Sequence, residues 1–238
     1  ITPSGASVGT KQGFSIVKFT GPGSAGFQAV PHGLTKKPKF ILCKDLDNAR
    51  NWGVFHEDVI TADTKAFILN STSEVFTSGT ACWDVSAINA TTFTPYFRDD
   101  FGASYGADNI AYLWHDVPGL QKFGSFTGNE STDGPYVELG FEPAVLIIKN
   151  ASGDHANGAN WFIFDCTRDS DNPVRLNLNP NDNSAEEDDS SGTLDFLSNG
   201  FKIRSNGTHP NGSGNTIIYA AWAKAPSVDL FGGGANAR

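Results

Sequence analysis

The sequence predicts an all-β protein built as two antiparallel β-sandwiches in tandem. Three observations carry this reading. Charged residues make up 18% of the 238, while Gly supplies 26 and Pro 12. Few charges with many turn formers suit short strands joined by tight turns, and do not suit a coiled coil or a helical bundle. Apolar residues recur with period two, as half-buried strands require. Finally, the chain repeats itself.

The repeat sets the domain organisation. Phe19-Thr20-Gly21 recurs as Phe126-Thr127-Gly128, and the run Pro38–Lys44 recurs as Pro143–Lys149. Asn51-Trp52-Gly53-Val54-Phe55 recurs as Asn160-Trp161-Phe162-Ile163-Phe164. Asn109–Trp114 echoes Asn215–Trp222. With Tyr112 set against Tyr219, the offsets are 107, 105, 109 and 107. A unit of this size exceeds the period of solenoids and propellers (20–50 residues, roughly) and matches one sandwich domain. The expected layout is an N-terminal extension over 1–13, a sandwich over 14–119, a second over 120–226, and a flexible tail over 227–238 rich in small residues.

Within each unit the elements follow from local pattern. Residues 40–43 and 144–148 are apolar on both faces and bounded by Pro and Lys, so they read as central strands covered on both sides. Val174, Leu176 and Leu178 alternate with Arg175 and Asn177, and Leu194 and Phe196 flank Asp195. Phe201 and Ile203 alternate with Lys202 and Arg204. Each of these stretches reads as a strand with one wet face. Asn206-Gly207 and Asn211-Gly212 mark tight turns, and Pro118-Gly119 the link between units.

Charge narrows the partners. A net charge of −9 and a pI near 4.9 leave no basic patch for nucleic acid or for anionic lipid. The longest apolar runs fall far short of the ~20 residues of a membrane-spanning helix. Neither nucleic acid nor membrane is therefore expected as a partner. Cys43, Cys82 and Cys166 are odd in number and widely spaced, and Cys43 and Cys166 sit in apolar runs. The expectation is a core without disulfides. Opening on Ile1 with no Met in the chain predicts a processed product or a piece of a longer chain.

Catalytic signals are weak. His56-Glu57-Asp58 lacks the spacing of a helical zinc site, reads as a solvated strand end, and has Asp165-Cys166-Thr167 at the matching place in the second copy. There is no nucleophile elbow and no phosphate-binding loop. The chain is expected not to be an enzyme and to carry no catalytic residues and no cofactor. Asp182, Glu186, Glu187, Asp188 and Asp189 crowd the loop 181–192. Oxygen ligands of this kind suit Ca2+, with Asp182, Glu186 and Asp188 as its candidates. The alternating order of a calcium loop is missing, so a solvated acidic loop is the preferred reading. The six Asn-x-Ser/Thr triplets, at Asn70, Asn89, Asn129, Asn150, Asn206 and Asn211, are read as products of composition.

Aromatic residues offer contact candidates. Trp52 and Trp161, and Trp114 and Trp222, recur between copies and read as core. Trp83 and Tyr105 do not recur and lie in turn-rich stretches, where an aromatic ring serves as an anchor. With Asp154, His155 and His209 they are the expected contact residues. The loops 99–108, 150–159 and 204–215 carry the last four of these.

Several phrases also resemble a module of tailed-phage virion proteins, particularly of marine and cyanobacterial phages. They are Phe123–Asn129, Gly134-Pro135-Tyr136-Val137, Gly140–Ala144 with Ile147-Ile148-Lys149, Asp195–Arg204, Ile217–Ala223 and the terminal Ala235-Asn236-Ala237-Arg238. The second copy resembles the module over about 105 residues. The first diverges, with Gly26-Phe27-Gln28-Ala29-Val30 where the second has Gly134-Pro135-Tyr136-Val137-Glu138. The resemblance implies lectin-like, concanavalin-type jelly-roll sandwiches on a tail fibre or related appendage, located in the virion. It implies homo-oligomers, trimers above all, contacts with other virion proteins, and attachment to a host-surface glycan or protein. A capsid decoration protein and a glycan-degrading enzyme are the alternatives.

Overall fold

The computed structural model describes residues 1–152 and 159–224. The protein is all-β, and every pairing between its named strands is antiparallel. Among the described residues, helix is confined to one short 3-10 turn and a four-residue α1 (Thr208–Asn211). The chain forms two compact units. Ile1–Asn70 with Val75–Asp116 is the first, and Ser71–Glu74 with the chain from Val117 onward is the second.

The first unit holds β1 (Pro3–Gly9), β2 (Phe14–Thr20), β3 (Gly26–Phe27), β4 (Val30–Pro31), β5 (Phe40–Asp45) and β6 (Gly53–His56). It continues with β7 (Lys65–Ile68), β8 (Phe76–Thr77), β9 (Thr92–Phe93), β10 (Tyr96–Phe97) and β11 (Asp108–Trp114). Seven of these form one sheet in the order β1-β2-β11-β5-β6-β7-β8. Its inner face carries Val17, Phe19, Ile41, Phe55 and Leu113, all fully buried. The short pairs β4–β9 and β10–β3 supply the opposing layer, and the Phe19 ring meets Phe93 and Phe97 edge-on at 5.8 and 6.0 Å.

The second unit holds β12 (Gln121–Thr127), β13 (Tyr136–Glu138), β14 (Pro143–Asn150), β15 (Trp161–Asp165) and β16 (Leu176–Asn177). It ends with β17 (Glu187–Asp188), β18 (Leu194–Leu197), β19 (Gly200–Ile203) and β20 (Thr216–Ala223). A four-stranded sheet, β12-β20-β14-β15, and a three-stranded sheet, β13-β19-β18, enclose one core. Leu146, Ile148 and Phe164 enter it from the first sheet, and Leu194, Phe201 and Ile203 from the second. Phe201 meets Tyr219 at 5.6 Å and Phe126 at 5.9 Å across the gap.

The internal repeat has a structural counterpart. The order β2-β11-β5-β6 in the first unit is the order β12-β20-β14-β15 in the second. The repeated glycines share a task as well. A Cβ on Gly21 would collide with the carbonyl oxygen of Ser104, and one on Gly128 with that of Gly212. In both copies the chain leaves its strand against another backbone, and glycine alone fits.

One repeat match needs correction. Trp114 pairs with Phe14 and Phe40, and Trp222 with Gln121 and Val145, so Trp222 is the counterpart of Trp114. That places Ala220, not Tyr219, at the position of Tyr112. Tyr219 faces the core with Ile217 and Ala221, whereas Tyr112 lies on the opposite face beside Trp52 and Trp114. A slip of one residue turns a side chain to the other face of the sheet.

Other expectations also change. Residues 3–9, expected as part of an extension, form β1 and pair with β2 along its length. Their small, exposed side chains gave no apolar signal, because an edge strand is held by backbone hydrogen bonds. Asn211, expected in a tight turn, ends α1 and is fully buried. Its side-chain amide donates to Asn129 Oδ1 and to the carbonyls of Ser131 and Ser205, at 2.8–3.0 Å. Pro118-Gly119 does turn, with Leu120 N donating to the Val117 carbonyl at 3.0 Å. β5 and β14 are central in their sheets; one face of each is fully buried, and the other is half-covered at Leu42, Val145 and Ile147. The three thiols are free: Cys43 and Cys82 are buried and Cys166 half-buried, and burial pushes Cys43 up to about 12. The expected tail over 227–238 lies outside the described residues.

Gly21→Ala and Gly128→Ala should each destabilise the protein by about 1–3 kcal/mol through overpacking against backbone. Urea unfolding followed by near-ultraviolet circular dichroism measures this. A change within about 0.5 kcal/mol for either would show that the close approach is not structural.

Candidate functional site

Alternation along two strands of the second unit builds the site. In β18 and β19, Leu194, Phe196, Phe201 and Ile203 point into the core, so Asp195, Lys202 and Arg204 point outward. On β13, Val137 points inward and Tyr136 and Glu138 outward. The register aligns Tyr136 with Lys202 and Lys202 with Asp195, forming one row across three strands.

Two ion pairs order this face. Arg204 Nε donates to Asp195 Oδ2 at 2.6 Å, and Lys202 Nζ lies 2.7 Å from Asp133 Oδ1. Asp195 keeps 11% of its side-chain exposure and Arg204 40%, so the pair lies at the floor of an opening. The Lys202 ammonium beside Asp133 holds that carboxyl below its ordinary range. Tyr136 is 44% exposed, one of few large apolar side chains open to solvent among the described residues.

Loops close the surroundings into a cleft. Thr132, Asn172, Pro173 and Ser191 join Asp195 and Arg204 around an open volume of about 500 Å3. Asn172 is fixed by two bonds to one residue, accepting from Phe196 N at 2.9 Å and donating to its carbonyl at 2.7 Å. The cleft therefore sets a few polar side chains, Thr132, Asn172, Ser191, Asp195 and Arg204, among carbon surface.

The residues expected from sequence lie elsewhere. Trp83 is 1% exposed and packs edge-on against Phe55 and Phe101 in the first unit, at 5.8 and 5.9 Å. It is a core residue and not a contact residue, because its turn-rich stretch folds back over the sheet. Tyr105 is half-buried, and its hydroxyl donates to Asp99 Oδ2 at 2.5 Å. That carboxylate raises the phenol above its ordinary value. His209 lies in α1, partly buried, and Asp154 and His155 lie outside the described residues. Trp161 is buried and Trp52, Trp114 and Trp222 half-buried; all four occupy the sheet face opposite the core just described.

The acidic loop disperses its charges. Glu186 pairs with Arg168 at 2.7 Å, Asp188 with Arg175 at 2.8 Å, and Asp182 accepts from Ser184 N. Among the described residues, no group of three His, Cys, Asp or Glu side chains gathers as a metal site. His56, expected at a solvated strand end, is buried beside Phe40, with ring centres 6.1 Å apart. Asn150 and Asn211 are buried, so these two triplets are closed to glycosylation in the folded protein.

The chain matches, over residues 1–226, the family described as a domain of unknown function, DUF7483. It belongs to that family. The match runs through both units, so the DUF7483 domain comprises the pair. No curated protein and no solved structure matches the chain.

One further buried group in this DUF7483 domain escaped the sequence reading. Lys149, at the end of β14, is fully buried and donates to the carbonyls of Thr72, at 2.8 Å, and Ala159. Its ammonium lies 5.8 Å from the centre of the Trp161 ring. Burial pulls its pKa down from 10.5 to about 7, against the attraction of Glu74. The repeat had marked it as the polar end of an apolar run; burial of the strand end was set by residues distant in sequence.

The sign of the consequence follows from proton counting. The unfolded chain holds the Lys149 proton up to about pH 10.5, and the folded chain releases it near 7. Between these values the unfolded state binds more protons, so stability rises with pH; below them the cost of the buried charge is present in full. The urea midpoint should therefore be higher near pH 9.5 than near pH 7, and Lys149→Met should flatten that rise. An identical pH dependence in the variant would contradict the assignment.

Proposed function

We propose that this protein is a structural and adhesive virion protein of a tailed bacteriophage, part of a tail fibre or related appendage that contacts the host surface. The observation that carries the reading is the division of labour in β18 and β19. The phrase Asp195–Arg204, which resembles the phage module, supplies the core with one set of side chains and the floor of the cleft with Asp195 and Arg204. The other phrases within the described residues fall on or beside β12, β13, β14 and β20, so the resemblance concerns a scaffold, and the terminal Ala235–Arg238 lies outside the described residues. Loops on a rigid scaffold are a common place for recognition.

The cleft favours binding over cleavage. Asp195 is the one carboxylate among its lining residues, and it is committed to Arg204. Hydrolysis of a glycosidic bond by paired carboxylates needs one of them to carry a proton, and Asp133, the second carboxylate beside Lys202, is held ionised by that ammonium. A homotrimer, as phage appendages commonly form, would present three such faces and gain avidity from weak single contacts.

Electron cryomicroscopy of intact particles, with antibody against this chain, tests the proposal. The expected result is a few copies at the tail tip or its fibres, and inhibition of phage adsorption by the soluble chain. Copies spread in tens to hundreds over the capsid lattice would replace this reading with that of a decoration protein. Absence from particles would overturn both.

A further inference from the structure

We propose that the outward face of the β13-β19-β18 sheet, together with the adjoining cleft, is a combining site for an uncharged oligosaccharide. This deepens the attachment reading and rests on it for its biological setting. Three features of the site carry the proposal.

The first is the exposed ring. Tyr136 stands on the edge strand of the sheet with 44% of its surface open. An aromatic face packs against the C–H groups of a sugar ring, while its hydroxyl stays in water. The second is the polar floor. Asp195 uses Oδ2 and Arg204 uses Nε for their mutual bond. The other carboxylate oxygen and the terminal guanidinium nitrogens have no partner among the described residues. One group accepts and the other donates, and they are held side by side. Adjacent hydroxyls of a sugar satisfy both at once, and Thr132 and Ser191 line the same cleft.

The third feature is charge balance. Asp133 cancels Lys202, and Asp195 cancels Arg204, so the site has no excess positive charge to attract an acidic glycan. The chain as a whole carries −9 and repels polyanions. The spacing selects length. Tyr136 and Asp195 are two strands apart in one row, about 10 Å. That span exceeds a single pyranose ring, so the site suits an oligosaccharide laid across the strands.

Isothermal titration calorimetry with the full chain tests this. The uncharged probes are maltotriose, cellotriose, mannotriose and chitotriose; sialyllactose and trigalacturonate are the acidic ones. Saturable binding to at least one uncharged probe is expected, with neither acidic probe binding more tightly. Tyr136→Ala should weaken it about tenfold, and Arg204→Lys, which keeps the charge but loses the planar fork, by a similar factor. Tyr136 is exposed, so its replacement leaves the fold intact, as circular dichroism will verify. No saturable binding to any uncharged probe, tighter binding of an acidic probe, or binding untouched by both variants would each overturn the proposal. A chain found on particles but without sugar affinity would sink the ligand assignment and leave the virion reading standing. A sugar-binding chain missing from particles would do the reverse.

Discussion

Side chains alternate across a strand, and β19 uses this constraint to serve two surfaces. Phe201 and Ile203 enter the core with no exposure, while the alternating residues Lys202 and Arg204 form the outward ion pairs. Neither surface can be changed independently of the other. A slip of one residue would send two charges into the core and two apolar side chains into the cleft. The register is therefore held by hydrophobic burial: Phe201 is gripped by Phe126 and Tyr219, and Phe196 and Val137 lie in its row. What the outward face presents depends on what the inward face buries.

The two units share the order of one sheet and differ in the layer that faces it. Four strands keep their order in both, with glycine kept where each chain leaves its second-unit or first-unit strand against a carbonyl. The opposing layers differ. In the first unit that layer consists of two-residue pairs, β4–β9 and β10–β3. In the second it is a three-stranded sheet, wide enough to give a continuous outward row. A scaffold built on one conserved sheet leaves the other layer open to diverge toward a task.

Much of the fold was legible in the chain because its cause is local. Leu194-Asp195-Phe196 and Phe201-Lys202-Ile203-Arg204 announce strands with one wet face, and they are such strands. The repeated phrases fall on strands in both units, but aligning Tyr112 with Tyr219 by their identity missed the one-residue difference in spacing that sets Trp114 against Trp222. β1 was invisible because backbone bonding leaves no trace in Ser, Gly and Ala. Trp83 and Asn211 were misjudged for a shared reason: each looks exposed among turn formers, and burial is decided by segments far away in sequence. The cleft suffered the same limit. Its rim comes from Thr132, Asn172 and Ser191, which only the folded chain brings to Asp195 and Arg204. Tyr136 was quoted as part of a motif, yet its exposure is a property of its place on an edge strand.

The most direct test of the central claim is a two-dimensional NMR titration of the amide-labelled chain with the uncharged trisaccharide that binds best. The account predicts shifts concentrated at Tyr136, Lys202, Arg204, Asp195 and the rim around Thr132 and Ser191, with the inward residues Phe201 and Ile203 nearly still. Shifts gathered in the first unit, or around Tyr105 and His209 with that row unmoved, would contradict it.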